Sequence, residues 1–274
     1  MRQILRFLGW NRTSYLLMSS FVLLLAVIVY AWWPLVVEYW SAYNPAYPLW
    51  AQLDWLLLGI FALMSLLIMA GADLRHDLPV VVVGLVGGLV IEAWGTQTHL
   101  WNYYTLERPP LWIIPAWPIA SLSIDRIQRL LRRPMGRLPA VAVWGGYTLI
   151  FGGFLLLMLA FVAPTNPFSL TQMALFLCFF LALTPTQPRE MLLAFIGGSA
   201  LGYFLERWGT TRQCWIYYTY ETPPLFAVLA HGMAAVAFWR ARRALLYAWG
   251  QLALFCGISP FIRRLQEIAY KEGE

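Results

Sequence analysis

The sequence predicts an all-α, polytopic membrane helical bundle: two parallel four-helix repeats followed by a C-terminal apolar segment. Three observations carry this reading. The 274 residues are 61% hydrophobic and only 12% charged, whereas soluble domains carry about 25% charged residues. Apolar runs approaching the roughly 20 residues that cross a bilayer recur along the chain. Residues 84–111 also match 198–225 at a constant offset of 114, with 14 identities in 28 positions.

Apolar runs bounded by charge and proline predict helices at 14–37, 53–71, 79–95, 111–128, 140–163, 169–184, 189–207 and 223–240. A further apolar stretch, 244–258, spans, re-enters or lies at the interface. The first run follows Arg2, Arg6 and Arg12. It is too long for a signal peptide and lacks a small-residue cleavage site, so it reads as a retained helix. The organisation expected is 1–128 as the first repeat, 129–243 as the second, and 244–274 as an apolar segment with a charged tail.

Charge sets the topology. With the N-terminus inside, 13 Lys and Arg fall on the inner side, and only Arg108, Arg207 and Arg212 on the other. This is the positive-inside pattern. Placing Arg263, Arg264 and Lys271 inside as well favours eight crossings of the cell membrane with both termini cytoplasmic. The net charge of +6 therefore belongs to membrane topology, and no motif suggests a nucleic-acid partner. Cys178, Cys214 and Cys256 form no CxxC or Cys/His pattern, so no metal site is expected. The sequence names no cofactor.

Four predicted crossings separate the two copies of the motif. Both copies then face the same, outer side, related by a pseudo-two-fold axis along the membrane normal. Gly84, Gly88, Glu92 and Thr96 are spaced by four, as are Gly198, Gly202, Glu206 and Thr210, so each set shares a helix face. Glycines on such a face admit a neighbouring helix. An ionisable residue inside a span is a functional candidate by default. Glu92 and Glu206 are the candidate catalytic acids; the structural alternative is that each braces its loop by accepting from backbone amides at Gly95 or Gly209.

Candidate substrate contacts are Trp94, Thr96, Trp101, Tyr103 and Tyr104, with Trp208, Thr210, Trp215, Tyr217 and Tyr218 in the second copy. Aromatic faces stabilise cations, and a neighbouring acid suits protonation of a carbon–carbon double bond. The alternative is an interfacial aromatic belt. Glu107 and Glu221 suit capping of the helices after the Pro-Pro pairs. The copies differ where Trp117 becomes His231. His231 is the third catalytic candidate, as proton carrier or axial ligand to a tetrapyrrole; a hydrogen-bonded structural histidine is the alternative. Asp125 and Arg129 read as an i,i+4 ion pair.

The stretch Glu92-Ala-Trp-Gly-Thr, Tyr103-Tyr104-Thr105 and Ile114-Pro115-Ala116-Trp117 resembles a membrane-protein family of carotenoid biosynthesis that includes C50 carotenoid hydratases. The likeness covers about 30 residues. The second copy departs from it, reading Val228-Leu229-Ala230-His231. The resemblance implies a helical bundle acting on an isoprenoid within the bilayer. The leading expectation is therefore an enzyme that protonates a polyene end. The alternatives are a pigment- or lipid-contacting subunit of a membrane complex, and a transporter or binding protein with its site between the repeats. The partners expected are membrane lipid, an isoprenoid or pigment, and a membrane-complex partner.

Overall fold

Capping residues and prolines set where the helices begin and end. The computed structural model describes residues 9–255. In order they form α1 (Arg12–Ala31), α2 (Trp33–Ser41), α3 (Leu49–Gln52), α4 (Trp55–Met69), α5 (Leu74–Gln97), β1 (Trp101–Tyr103), α6 (Ala116–Gly136) and α7 (Ala140–Val162). A 3-10 turn (Ala163–Thr165), α8 (Ser169–Leu183), α9 (Pro188–Thr211), β2 (Trp215–Tyr217) and α10 (Leu225–Phe255) follow. The described chain is thus mostly helical. By length and composition, α1, α5 and α7 with its 3-10 turn are apolar enough to cross a membrane. The apolar helices α4 and α8 are shorter, at 15 residues each.

Side-chain caps explain several starts. Asn11 accepts from the Thr13 and Ser14 amides to open α1, Asp54 accepts from Leu57 to open α4, and Asp73 accepts from Arg75 to open α5. Each satisfies a donor that the first helical turn leaves unpaired.

Four expected boundaries are corrected. The run 14–37 is two helices, interrupted at Trp32 where Pro34 follows at the start of α2, because proline cannot donate to the preceding turn. Helix 79–95 begins earlier, at Leu74, because the Asp73 cap precedes Pro79. Helix 111–128 starts only at Ala116 and runs through the basic segment to Gly136. The runs 223–240 and 244–258 belong to one helix as far as Phe255, since 240–243 holds only the strong helix formers Ala and Arg. Residues 256–258 and the tail lie outside the described residues.

Helix α5 packs along α6, and α9 along α10; α6 also packs on α9 and α5 on α10. These four surround the centre of the bundle. Helix α4 lies against α6 and α9, α1 against α4, α7 against α9 and α10, and α8 against α7 and α5. The largest apolar cluster joins Phe151, Phe154 and Met158 of α7 to Met191 and Phe195 of α9 and Val236 of α10. Smaller clusters lie around Ile60, Met64 and Leu201, and around Phe21, Ile68 and Leu122.

Candidate functional site

Missing side chains shape the site first. A Cβ on Gly88 would lie 2.3 Å from Trp117 Cγ, and one on Gly202 would lie 2.5 Å from His231 Cβ. The two glycines are slots in which an indole and an imidazole rest, one turn before Glu92 and Glu206. Beyond each Glu the helix ends and the chain turns back. His99 (φ 60°) and Gln213 (φ 56°) take the left-handed conformation. The Leu100 and Cys214 amides donate to Gly95 O and Gly209 O, both at 2.9 Å. The indoles of Trp101 and Trp215 then fold over Gly95 and Gly209, where a Cβ would stand 1.9 Å from either ring.

The turns deliver two short strands that pair antiparallel, Trp101 opposite Tyr217, Asn102 opposite Ile216 and Tyr103 opposite Trp215. The Tyr104 amide donates to Cys214 O and the Tyr218 amide to Leu100 O. Trp101 packs on Tyr217 and Tyr103 on Trp215, each pair 5.8 Å between ring centres. These strands are an addition to the all-helical expectation. No helix or strand run is long enough to announce them in the sequence.

The pairing aims donors at both carboxylates. Glu92 accepts from Trp101 Nε1 at 3.1 Å, Tyr103 OH at 2.9 Å and Trp117 Nε1 at 3.1 Å. Glu206 accepts from Trp215 Nε1 at 2.8 Å and Tyr217 OH at 2.9 Å. In the place of a third donor stands His231, its Nδ1 3.6 Å from Glu206 Oε1. That Nδ1 lies 3.0 Å from Ala227 O; a carbonyl only accepts, so Nδ1 carries the proton. Trp117 and His231 stack on one another at 5.8 Å and 11°. Both glutamates are 3% exposed, and burying such a group without partners would cost several kcal/mol. The expected brace through backbone amides is therefore corrected: indoles and phenols do the holding. Burial, then Glu92, keeps the Tyr103 hydroxyl well above the ordinary phenol range, and burial with Glu206 does the same for Tyr217. Both remain donors.

The remaining candidates separate into two groups. Trp94 lies edge-on to Trp101 and donates to Thr171 Oγ1 at 3.2 Å. Trp208 stacks on Trp32 and donates to Asp54 Oδ2 at 2.9 Å. Thr96 and Thr210 donate to the Glu92 and Glu206 carbonyls of their own helices. Tyr104 donates to Ala31 O and Tyr218 to Phe161 O, tying the loops to the ends of α1 and α7. Trp101, Tyr103 and Tyr217 are buried and form no surface belt. Glu107 accepts from Thr105 in the loop and caps no helix, since α6 starts at Ala116. Sequence reasoning missed Trp117 as a ligand of Glu92; the offset of 114 to His231 was its signal.

A cavity of about 1000 Å³ opens beside this pair, between α5, α7, α8 and α10. Its wall is mostly carbon, from residues such as Phe154, Met158, Phe176, Leu177 and Ala234. Glu92, Glu206, His231, Trp94, Trp101, Tyr103, Trp117, Trp215 and Tyr217 also face it. Thr96, Tyr104, Trp208, Thr210 and Tyr218 do not line it. A molecule filling it would meet apolar walls along its length and two carboxylates at one place.

The opposite end of α5 and α6 holds an ionic cluster. Arg126 pairs with Asp77 at 2.7 Å and with Asp125 at 2.9 Å, and Arg129 completes the expected i,i+4 pair with Asp125. Arg242 Nη2 lies 2.9 Å from His76 Nδ1, and His76 Nε2 lies 3.2 Å from Asp125. Arginine only donates, so His76 Nδ1 accepts and Nε2 donates. His76, Asp77 and Asp125 stand close enough to share a metal ion, but guanidiniums already hold the carboxylates. No protein-family model, no curated protein and no solved structure matches this chain.

Proposed function

We propose that this chain is a polytopic membrane enzyme acting on a lipophilic isoprenoid or carotenoid, with Glu206 protonating a terminal double bond. Glu92 and the aromatic faces of Trp101, Tyr103, Trp215 and Tyr217 would steady the cation that forms. Capture of that cation by water gives hydration, and capture by an internal double bond gives cyclisation. The observation that carries the reading is the cavity: about 1000 Å³ of mostly apolar space with two buried carboxylates on its wall. Such a pocket selects a long hydrocarbon and offers it one reactive place.

The same proposal takes the chain as two parallel four-helix repeats, 1–128 and 129–243. Support comes from contacts that recur at an offset of 114. Indole and phenol donors reach Glu92 from positions 101 and 103 and reach Glu206 from 215 and 217. Support also comes from contacts outside the repeated sequence: Tyr104 meets the end of α1 as Tyr218 meets the end of α7. Trp208 meets the start of α4 as Trp94 meets the start of α8.

The test is turnover of a linear polyene by the full chain in lipid nanodiscs, wild type against Glu206→Gln. Loss of turnover with retained polyene binding is expected. A second reading, a non-catalytic pigment or lipid binder, draws on the complete hydrogen bonding of Glu92. It predicts polyene bound at unit stoichiometry and recovered unchanged from the wild type. A wild-type protein that neither binds nor converts polyenes sinks both.

A further inference from the structure

Position 231 is where the two halves of the site differ in chemistry. Trp117 Nε1–H is a fixed donor to Glu92, since an indole has no second nitrogen to take up a proton. The imidazole at the matching place beside Glu206 has two ring nitrogens, one able to donate while the other accepts. His231 also lines two spaces at once. One is the large cavity, and the other is a small one of about 40 Å³. The small cavity lies between α5, α6 and α10 and is bordered by Ser121, Asp125, Gln128 and Arg242. It is large enough for water, which needs about 10–15 Å³, and it leads toward the ionic cluster at the far end of the bundle.

We propose that His231 is a proton relay that connects Glu206 to the small cavity and, through it, to the Asp125 end of the bundle. The inference rests on the reading of Glu206 as the acid. The atoms are placed for it. Nδ1 carries a proton and stands 3.6 Å from Glu206 Oε1, a gap that a small ring movement closes to hydrogen-bond length. Nε2 makes no hydrogen bond among the described residues and is open to accept. A proton from water in the small cavity binds Nε2 while the Nδ1 proton passes to Oε1, so one proton moves inward and none is created. Hydration or cyclisation of a polyene returns one proton for each it takes. The returning proton goes from Glu206 to Nδ1, the Nε2 proton leaves to the small cavity, and the imidazole regains its first tautomer. The groups around the ring are Glu206 on α9, Trp117 on α6 and its own Ala227 carbonyl. Across the small cavity stand Asp125 and Gln128 on α6 and Arg242 on α10.

The experiment follows the carboxylic-acid carbonyl band of the full chain in nanodiscs by infrared spectroscopy after a jump into D2O. The band belonging to Glu206 is the one absent from Glu206→Gln. In the wild type its deuterium shift is complete within the mixing time. His231→Gln keeps a polar side chain but cannot take up a proton on one atom while releasing one from another, and slows the shift by about a hundredfold or more, the scale of positioned acid–base groups. Val83→Leu lines only the small cavity, leaves every site residue in place, and slows it several-fold by filling that space. Exchange as fast as wild type in His231→Gln overturns the relay. Unchanged exchange in Val83→Leu overturns the route and decides the matter where His231→Gln does not fold. A Glu206-dependent band missing at every pH overturns it too. Because no turnover is read, a failed relay leaves the polyene assay standing, and a failed polyene assay leaves the exchange measurement intact.

Discussion

Three donors around one buried carboxylate make each donor individually costly to lose. Trp117→Phe keeps the ring in its slot over Gly88 but removes one hydrogen bond to Glu92. The expected loss is about 1–3 kcal/mol, the range for a buried group left without a hydrogen-bond partner, read as a lower unfolding midpoint in mixed micelles. The same substitution in a Glu92→Gln background should cost clearly less; equal costs in both backgrounds would show that the indole acts by packing alone. Gly95→Ala presses a methyl into the Trp101 ring and is expected to cost about 1–3 kcal/mol by overpacking. Gly59→Ala, with nothing near it, should be neutral or stabilising by up to about 1 kcal/mol on helix propensity. A Gly95→Ala protein as stable as Gly59→Ala would contradict the indole's position. Glu92, Glu206 and the Trp and Tyr residues beside them stand out in the sequence because both copies keep them at one spacing, but as substrate contacts and not as donors to the acids. The bond of Trp117 to Glu92 does not stand out, because a histidine at the matching position is the one sign of it. Asp54 and Thr171 were hidden as well, since they hold Trp208 and Trp94 from segments with no repeated pattern.

At the scale of elements, the paired strands decide which rings meet the carboxylates, and their surroundings predict an alkaline weakness. Cys214 lies beside β2 with 1% exposure, and burial pushes its thiol from 9.0 up to about 12. Folded, the thiol stays neutral; unfolded, it ionises near its ordinary value. Its contribution to stability is therefore complete below about pH 9 and is lost as pH rises toward about 12. The phenols of Tyr103 and Tyr217 act in the same direction at higher pH. The melting temperature should fall from pH 9 upward, and Cys214→Ser should flatten the first part of that fall. A melting temperature constant to pH 11 would sink the prediction. The helices themselves were largely readable, since long apolar runs hold few alternatives. The strands were not, because three residues carry no period. The ends of α6 and α10 lie beyond those the sequence predicts for one reason: a basic cluster reads as loop, yet Arg is a strong helix former and both helices continue through it.

For the whole molecule, the continuity of α10 bears on the proposed topology. Its 31 residues extend about 46 Å at 1.5 Å per residue, while a bilayer's hydrocarbon core is about 30 Å. Arg240 stands at its midpoint and Arg242 and Arg243 just past it, where a long side chain can place its charge among headgroups. The part beyond them then emerges as helix without crossing again. On this reading α10 is a single crossing, the number of crossings is even, and the two ends of the chain share the inner side. The loops at Glu107 and Glu221 follow the paired strands, and on the same reading they face the outer side together. Single cysteines placed at these two positions, in a chain whose three native cysteines are replaced by serine, should both react with an impermeant maleimide applied to intact cells. Cysteines placed at Arg2 and Lys271 should react only after the cells are opened. Labelling of positions 107 and 221 from opposite sides would exclude parallel repeats. Labelling of position 271 from outside would overturn the reading that the two ends share the inner side.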